Sequence, residues 1–529
     1  MGKTKNILFI MCDQLRWDYL SCAGHPRLET PNIDALAAKG VRFTHAYCQA
    51  PVCGGSRMSF YTGRYAFTHG AVWNGVPLSV DELTIGDYLR PLGHRVALVG
   101  KTHMVADRGG MERLKIDRNS IEGALVAECG FEPYERDDGL WGTAEMAPEN
   151  LAYNNWLREQ GYGGPNPWHD FANSAEGPGG EILSGWYLRN SKYPARVKEE
   201  HSETAYMTGR AMQFIEECGE APWTMHLSYI KPHWPYIAPA PYHDMFGGND
   251  ILPANRHPKE LETDHPIYRT YHRREDCRAF SRDEVRETVI PAYMGLIKQI
   301  DDHLGRLFAF MEETGRMDDT MIVFTSDHGD YLGDHWLGEK ELFHEESIRL
   351  PFIVYDPDPA SDATRGTADG RFIESIDLVP TFIEAAGGTV PEHVVEGKSL
   401  LPLLHGERPG DWRDYVICES EFAPRIDLDA LGIAAREARA VMIRTEKWKY
   451  IHHLKFRPEL YDLEDDPNEF TDLGADPAYE EIRSRMREML TENFLARNFR
   501  TTVGEEPLAR RGRAVYYPPE QRRVYIGVW

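Results

Sequence analysis

The sequence predicts an α/β protein: a large, mostly parallel sheet sandwiched by helices, followed by a smaller α+β domain. Three observations predict it. Apolar runs of strand length at residues 7–11, 96–99 and 321–325 show no polar alternation, as expected of strands buried on both faces of a parallel sheet. Helical patterns separate these runs, the alternation that gives a sheet covered on both sides. Past residue 405 the pattern changes to alternating strands and one helix.

The elements follow in order. Ile7-Leu8-Phe9-Ile10-Met11 is the first strand, and Asp13 cuts it short. Thr30-Pro31 opens a helix with Ile33, Leu36 and Ala37 on one face, and Gly40 closes it. Residues 84–89 read as a helix, Gly93 as a turn and residues 96–99 as a strand. Between about 106 and 202 the pattern loosens into Gly, Trp, Asn and acidic residues, with one helix near 149–160. This is expected to be an insertion over the sheet, a natural place for substrate-selecting loops. Residues 223–230 form a fourth apolar stretch. Residues 239–282, rich in His, Arg, Pro and acids, read as a solvated surface excursion. The strongest helix carries Ile297, Ile300, Leu304, Leu307, Phe308 and Met311 on one stripe and ends at Gly315.

The expected division is therefore a main domain over 1–405, a small domain over 406–500 and an arm over 501–529. In the small domain residues 440–451 read as one antiparallel strand, 459–463 as another, and Ile482, Met486, Met489 and Leu490 mark a helix. The arm lacks helical period and carries Arg510, Arg511, Arg513, Tyr516, Tyr517 and Trp529. Aromatics and arginines of that kind suit a clasp on a neighbouring subunit, hence a homo-oligomer.

Charge narrows the function. The 529 residues include 59 Lys and Arg against 84 Asp and Glu, a net charge of −25. That excludes a nucleic-acid-binding protein and gives no footing on an anionic membrane. An anionic substrate is repelled at long range, so its site must cluster cations locally. The 8 cysteines lack paired close spacing and read as reduced thiols in a cytoplasmic protein. No signal-peptide pattern follows the first apolar run, and nothing approaches the length of a membrane span.

Polar residues converge where chemistry is expected. In open α/β sheets ligands sit outside the carboxyl ends of the strands. The first strand delivers Asp13 and Gln14 there, the second Lys101 and His103, the third Asp327 and His328. The fourth leads into Lys231-Pro232-His233-Trp234-Pro235. Each alone could be an N-cap or a turn; four at matching ends are hard to obtain by accident. Asp13, Gln14, Asp327 and His328 offer oxygens and one imidazole, a set suited to a hard divalent cation.

Cys53 lies in Pro51-Val52-Cys53-Gly54-Gly55-Ser56-Arg57, with Arg57 one helical turn along. This run resembles the signature of the type I sulfatases, in which the cysteine is oxidised to formylglycine. The likeness extends to Thr30-Pro31-Asn32-Ile33-Asp34, Gly63-Arg64-Tyr65, Gly100-Lys101-Thr102-His103, Ser326-Asp327-His328-Gly329, Glu339-Lys340 and Glu459-Leu460-Tyr461-Asp462-Leu463. It spans nearly the whole chain, with 106–202 and the last 30 residues or so as the individual parts. One departure stands out: the family pattern has proline or alanine where this chain has Gly55.

The resemblance implies an alkaline phosphatase-like fold, hydrolysis of small-molecule sulfate esters, and maturation by a formylglycine-generating enzyme. It implies a hydrated aldehyde at position 53 as nucleophile and metal ligand, with Arg57 holding its second hydroxyl. Lys101 and Lys340 would bind the nonbridging oxygens, His233 would protonate the leaving alcohol, and His103 would take the last hydroxyl proton. Asn74 is a further oxygen contact or simply a turn residue. Calcium, manganese or magnesium could fill the metal site. The pairing of Gln14 with His328 looks more like the phosphonate monoester hydrolases of the same superfamily, so phosphonate monoester or phosphodiester hydrolysis is an alternative, and promiscuity is expected. Choline-sulfatase-like specificity is a third reading, through the Trp-rich insertion. A reading of another class follows from Gly55: an unmodified, weakly catalytic anion-binding protein.

Overall fold

The computed structural model describes residues 4–142, 146–148, 150–426 and 428–513. Its strands are β1 (Asn6–Asp13), β2 (Val41–Tyr47), β3 (Arg95–Gly100), β4 (Glu132–Arg136), the small hairpin β5 (Ser174–Glu176) and β6 (Ile182–Ser184), β7 (Trp223–Pro232), β8 (Thr320–Ser326), β9 (Arg349–Leu350), β10 (Phe352–Tyr355) and β11 (Thr367–Glu374). The large sheet runs β11-β2-β10-β8-β1-β7-β3-β4, with β9 on β2. From β8 to β4 every pairing is parallel, while β10 is antiparallel to both its neighbours.

Alternate residues of β1 feed two apolar clusters, one per face. Ile7, Phe9 and Met11 enter one; Leu8, Ile10 and Cys12 enter the other. That is why the strand reads as an unbroken apolar run. The helix Asp283–Glu313 covers the second face, and its stripe Ile297, Ile300, Leu304, Leu307 and Met311 is buried there. All 8 cysteines are free thiols. No helix among the described residues is long and apolar enough to cross a membrane.

A second, 4-stranded antiparallel sheet is formed by β12 (Tyr415–Glu421), β13 (Arg439–Thr445), β14 (Trp448–His453) and β15 (Glu459–Asp462). It packs with the helix Glu480–Ala496 around Ile443, Tyr450, Leu460, Met486 and Leu490. The single strand expected over 440–451 is instead a hairpin. Both arms are apolar, so their join at Glu446 and Lys447 breaks no obvious pattern; the Thr445 hydroxyl accepts the Trp448 N–H and pins the turn.

Two further expectations are corrected. Residues 239–282 are not simply a solvated excursion: they hold the helices Pro266–Tyr271 and Glu275–Phe280 and bury Tyr242, His265, Ile267, Tyr271, Cys277 and Phe280. Their apolar residues are too widely spaced to show a period. The arm carries a helix, Glu505–Arg513, where no helical period was visible. Residues 505–509 are exposed and so add no buried stripe to reveal it; acids in its first turn favour it instead. The rest of the arm, 514–529, and with it the expected clasp, lies outside the described residues. The helix expected near 149–160 spans Ala152–Glu159, and Glu149 lies outside them too.

Gly100 ends β3 with φ +113°, and a Cβ there would stand 1.9 Å from the Ser228 carbonyl oxygen of β7. The close approach lets the Lys101 N–H donate to that oxygen at 3.1 Å. Gly100→Ala is therefore expected to cost about 3 kcal/mol or more, through backbone strain and overlap. Thermal unfolding followed by circular dichroism should show a large drop in melting temperature.

Candidate active site and metal centre

β8, β1, β7 and β3 are consecutive neighbours in the sheet. Their shared direction places Asp327 and His328, Asp13 and Gln14, His233, and Lys101 and His103 at one edge. Gln14 (φ 67°) and His103 (φ 55°) both adopt left-handed backbone there. Strain of this kind persists only where surrounding structure holds it.

The helix Cys53–Thr62 brings its first residue to the same edge and is buried along its whole length. It is keyed to the strand ends. Ser56 Oγ donates to the Asp327 carbonyl at 2.6 Å. Arg57 Nε donates to Asp327 Oδ2 at 2.9 Å, and Nη2 lies 3.3 Å from Asp13 Oδ2. Arg57 Nη1 donates to the Lys101 carbonyl and to Ser228 Oγ, at 2.9 and 2.7 Å. Asn74 Oδ1 accepts the Gly54 N–H at 2.7 Å, so it satisfies the first turn of this helix. Gly55 has a local reason. A Cβ at that position would lie 2.9 Å from Ala50 Cβ and 3.1 Å from the Val72 carbonyl oxygen.

Asp13, Cys53, Asp327 and His328, all buried, each bring one ligand atom within 4.8 Å of the others. Cys53 Sγ is 3.1 Å from His328 Nε2 and 3.7 Å from Asp13 Oδ1. His328 Nε2 is 3.7 Å from Asp327 Oδ1 and 3.9 Å from Asp13 Oδ1. The ring's Nδ1 faces the Gly329 carbonyl at 2.8 Å, which turns Nε2 into the cluster. Two carboxylates, an imidazole and the position-53 side chain fit one divalent cation. Beside these donors, Gln14 Nε2 donates to Asp330 Oδ2 at 2.5 Å and its Oε1 accepts from Lys340 Nζ at 2.7 Å. Its amide thus orients a lysine.

Cations ring Cys53. Lys101 Nζ contacts Asp13 Oδ2. Lys340 Nζ is 3.1 Å from His233 Nε2 and 3.3 Å from Glu339 Oε2. His103 and His233 lie close enough to the Cys53 side chain to bear on its ionisation and on that of His233. Burial alone would raise the thiol, but Lys340, Lys101 and His328 outweigh it and hold it well below its usual range. Burial and then Lys340 push His233 down to about 4, so its imidazole is neutral at pH 7. Its Nδ1 lies 2.6 Å from the Trp234 carbonyl, which only an N–H there can satisfy, and Nε2 is left to accept from Lys340.

Several supporting residues carried no signal in the sequence. Asp138, from the insertion, accepts the N–H groups of Thr102 and His103 at 3.1 and 3.0 Å and so holds His103 in its left-handed conformation. Tyr236 donates to Asp330 Oδ2 at 2.8 Å, and Asp330 in turn anchors Gln14. Asp330 directly follows Ser326-Asp327-His328-Gly329, but nothing distinguished it from a turn acid.

Fold and site together define a hydrolase of alkaline phosphatase-like architecture with a buried candidate cation site. A sulfatase family model matches residues 5–388, and a model for the C-terminal part of N-sulphoglucosamine sulphohydrolase matches 333–495. The chain belongs to the sulfatase family, an enzyme of the sulfuric ester hydrolase class. It is 33% identical to a multifunctional alkaline phosphatase superfamily protein of Trinickia caryophylli, covering 90% of this chain and 92% of that one. It is 29% identical to an arylsulfatase of Clostridium perfringens, covering 95% and 97%. The structure of a phosphonate monoester hydrolase from Silicibacter pomeroyi superposes with a TM-score of 0.81 at 28% identity, covering 94% and 96%.

Arg57→Ala would remove the buried cationic partner of Asp327 and one of the two that Asp13 has, at a cost of about 3–5 kcal/mol. A large fall in melting temperature is expected. Lys5→Ala, which removes an exposed pair with Glu220 (2.9 Å), should leave it within a degree or so.

Proposed function

We propose that the protein hydrolyses sulfate esters of small alcohols or phenols, with residue 53 converted from cysteine to formylglycine and one divalent cation, calcium or manganese, held by Asp13, Asp327, His328 and residue 53. The supporting observation is the ring of Lys101, Lys340, His103 and His233 around one buried side chain at a helix start, beside a donor set that fits a cation. In a chain of net charge −25 two buried lysines at one side chain have a specific use. A bound cation would polarise the ester and favour the ionised nucleophile.

The chain's own residues supply the rest. Lys101 and Lys340 neutralise charge on the nonbridging oxygens as it builds. Arg57 fixes the two carboxylates and presents its charge to residue 53. The neutral His233 shares the Lys340 proton across 3.1 Å, and this pair is the source of the proton for the departing oxygen. His103, held by Asp138, takes the proton from the second hydroxyl of the hydrated aldehyde, so the bond to sulfate breaks at carbon and the aldehyde returns. A serine or cysteine ester would instead need water to attack sulfur. The alcohol portion has room beyond Trp234: a cavity of about 830 Å³ is lined by Trp186, Trp234, Tyr236 and Glu339.

Phosphonate monoester hydrolysis is a second reading, supported by the histidine among the cation donors and by the likeness to a phosphonate monoester hydrolase structure. Activity on both ester classes is expected, with sulfate preferred because Lys101 and His103 flank the nucleophile.

Peptide mass spectrometry on material from a host competent for the modification should find aldehyde or its hydrate at position 53. Thiol alone there removes the formylglycine mechanism and leaves an anion-binding protein. Lys101→Ala should lower kcat/KM for an aryl sulfate by at least ~100-fold, the loss of one charge-stabilising contact. Near-wild-type turnover would mean the anion sits elsewhere.

A further inference from the structure

A second cluster of metal-type ligands lies away from the active site, at the seam between residues 239–282 and the antiparallel sheet. His265 precedes the helix Pro266–Tyr271, His453 ends β14, and Glu459 begins β15. All three are buried, and each offers one ligand atom within 4.8 Å of the other two. Glu459 Oε1 lies 2.6 Å from His453 Nε2 and 4.0 Å from His265 Nε2, and Oε2 accepts from Tyr461 OH at 2.8 Å. The two imidazole centroids are 4.8 Å apart.

An internal ion pair accounts for only part of this. His453 and Glu459 satisfy each other, but His265 is too far from the carboxylate to hydrogen-bond to it. The Nε2 of His265 meets the Arg457 carbonyl at 3.2 Å, while the Nδ1 atoms of His265 and His453 are both buried without a hydrogen-bond partner. Buried imidazole nitrogens left without a partner are costly, and a cation is one partner that takes such lone pairs. There is also a way in. Glu459 and Tyr461 line a cavity of about 510 Å³ whose wall carries Glu260, Glu262, Asp264, Glu469 and Asp472 against Lys259 and Arg457. That excess of acids draws divalent cations toward the ligands.

We propose that His265, His453 and Glu459 form a second, structural cation site that fastens the 239–282 segment to the C-terminal sheet. Two imidazoles and one carboxylate select zinc or a similar borderline transition metal over calcium. The site is independent of the reaction proposed above and stands or falls without it.

The test is metal content of the full-length protein after equilibration with zinc and gel filtration. The Asp327→Asn variant, which damages the active-site cluster, should retain one tightly bound zinc. Combining it with Glu459→Gln, which keeps the side-chain volume and the Tyr461 contact, should remove that ion. Cobalt substitution gives a readout that does not depend on a histidine variant folding: in Asp327→Asn, bound cobalt should show the intense visible bands of a four-coordinate nitrogen–oxygen site, absent once Glu459→Gln is added. The proposal is overturned if Asp327→Asn alone binds no zinc, or if its zinc and cobalt spectrum survive Glu459→Gln unchanged.

Discussion

The guanidinium of Arg57 is the point on which the rest of the structure turns. It is buried, and it reaches Asp327, Asp13, the Lys101 carbonyl and Ser228 at once. Those four groups belong to β8, β1, the end of β3 and β7. One side chain thus ties together the strand ends that carry the site and ties all of them to the helix that begins at Cys53. A lysine could not do this, because only the planar fork offers enough donors in fixed directions. Without that charge, two carboxylates could not sit side by side in a dry interior.

Around this anchor the electrostatics invert those of the molecule. The surface is strongly acidic, yet the few side chains that face residue 53 are lysines and histidines. Each is placed by a neighbour: Lys340 by Gln14, His103 by Asp138, His328 by the Gly329 carbonyl. A cluster of like charges is tolerated because Asp13 and Asp327 lie among them. The site is therefore a lattice of opposite charges, and an arriving anion or a bound cation shifts its balance.

Much of this was legible in the sequence, for a physical reason. Strands buried on both faces have to be continuous apolar runs, so β1, β3, β7 and β8 announced themselves, and the residues just past their ends pointed to the site. The helix from Cys53 was legible through spacing, since only a helical turn puts residues 53 and 57 together. What stayed hidden depends on contacts between distant segments. Asp138 lies in a stretch without period, and its role exists only because that stretch folds back on His103. Gln14 was grouped with the metal donors because an amide oxygen next to Asp13 suits a cation; the contact of that oxygen with Lys340 depends on a distant segment and was not legible. The hairpin at Glu446 and Lys447 was invisible because both of its arms are apolar, and the burial of 239–282 because its helices are too short to show a stripe.

The complete enclosure of the helix Cys53–Thr62 sets an order of events in the life of the chain. Once the sheet has closed, no catalytic machinery as large as another protein can embrace residues 52–57 in extended form. Whatever another enzyme does to the sulfur must be finished while this stretch is still nascent or unfolded. With the modification proposed above, the finished molecule would carry, locked in its interior, a record of the cell that made it, and identical polypeptides from two hosts would be different reagents.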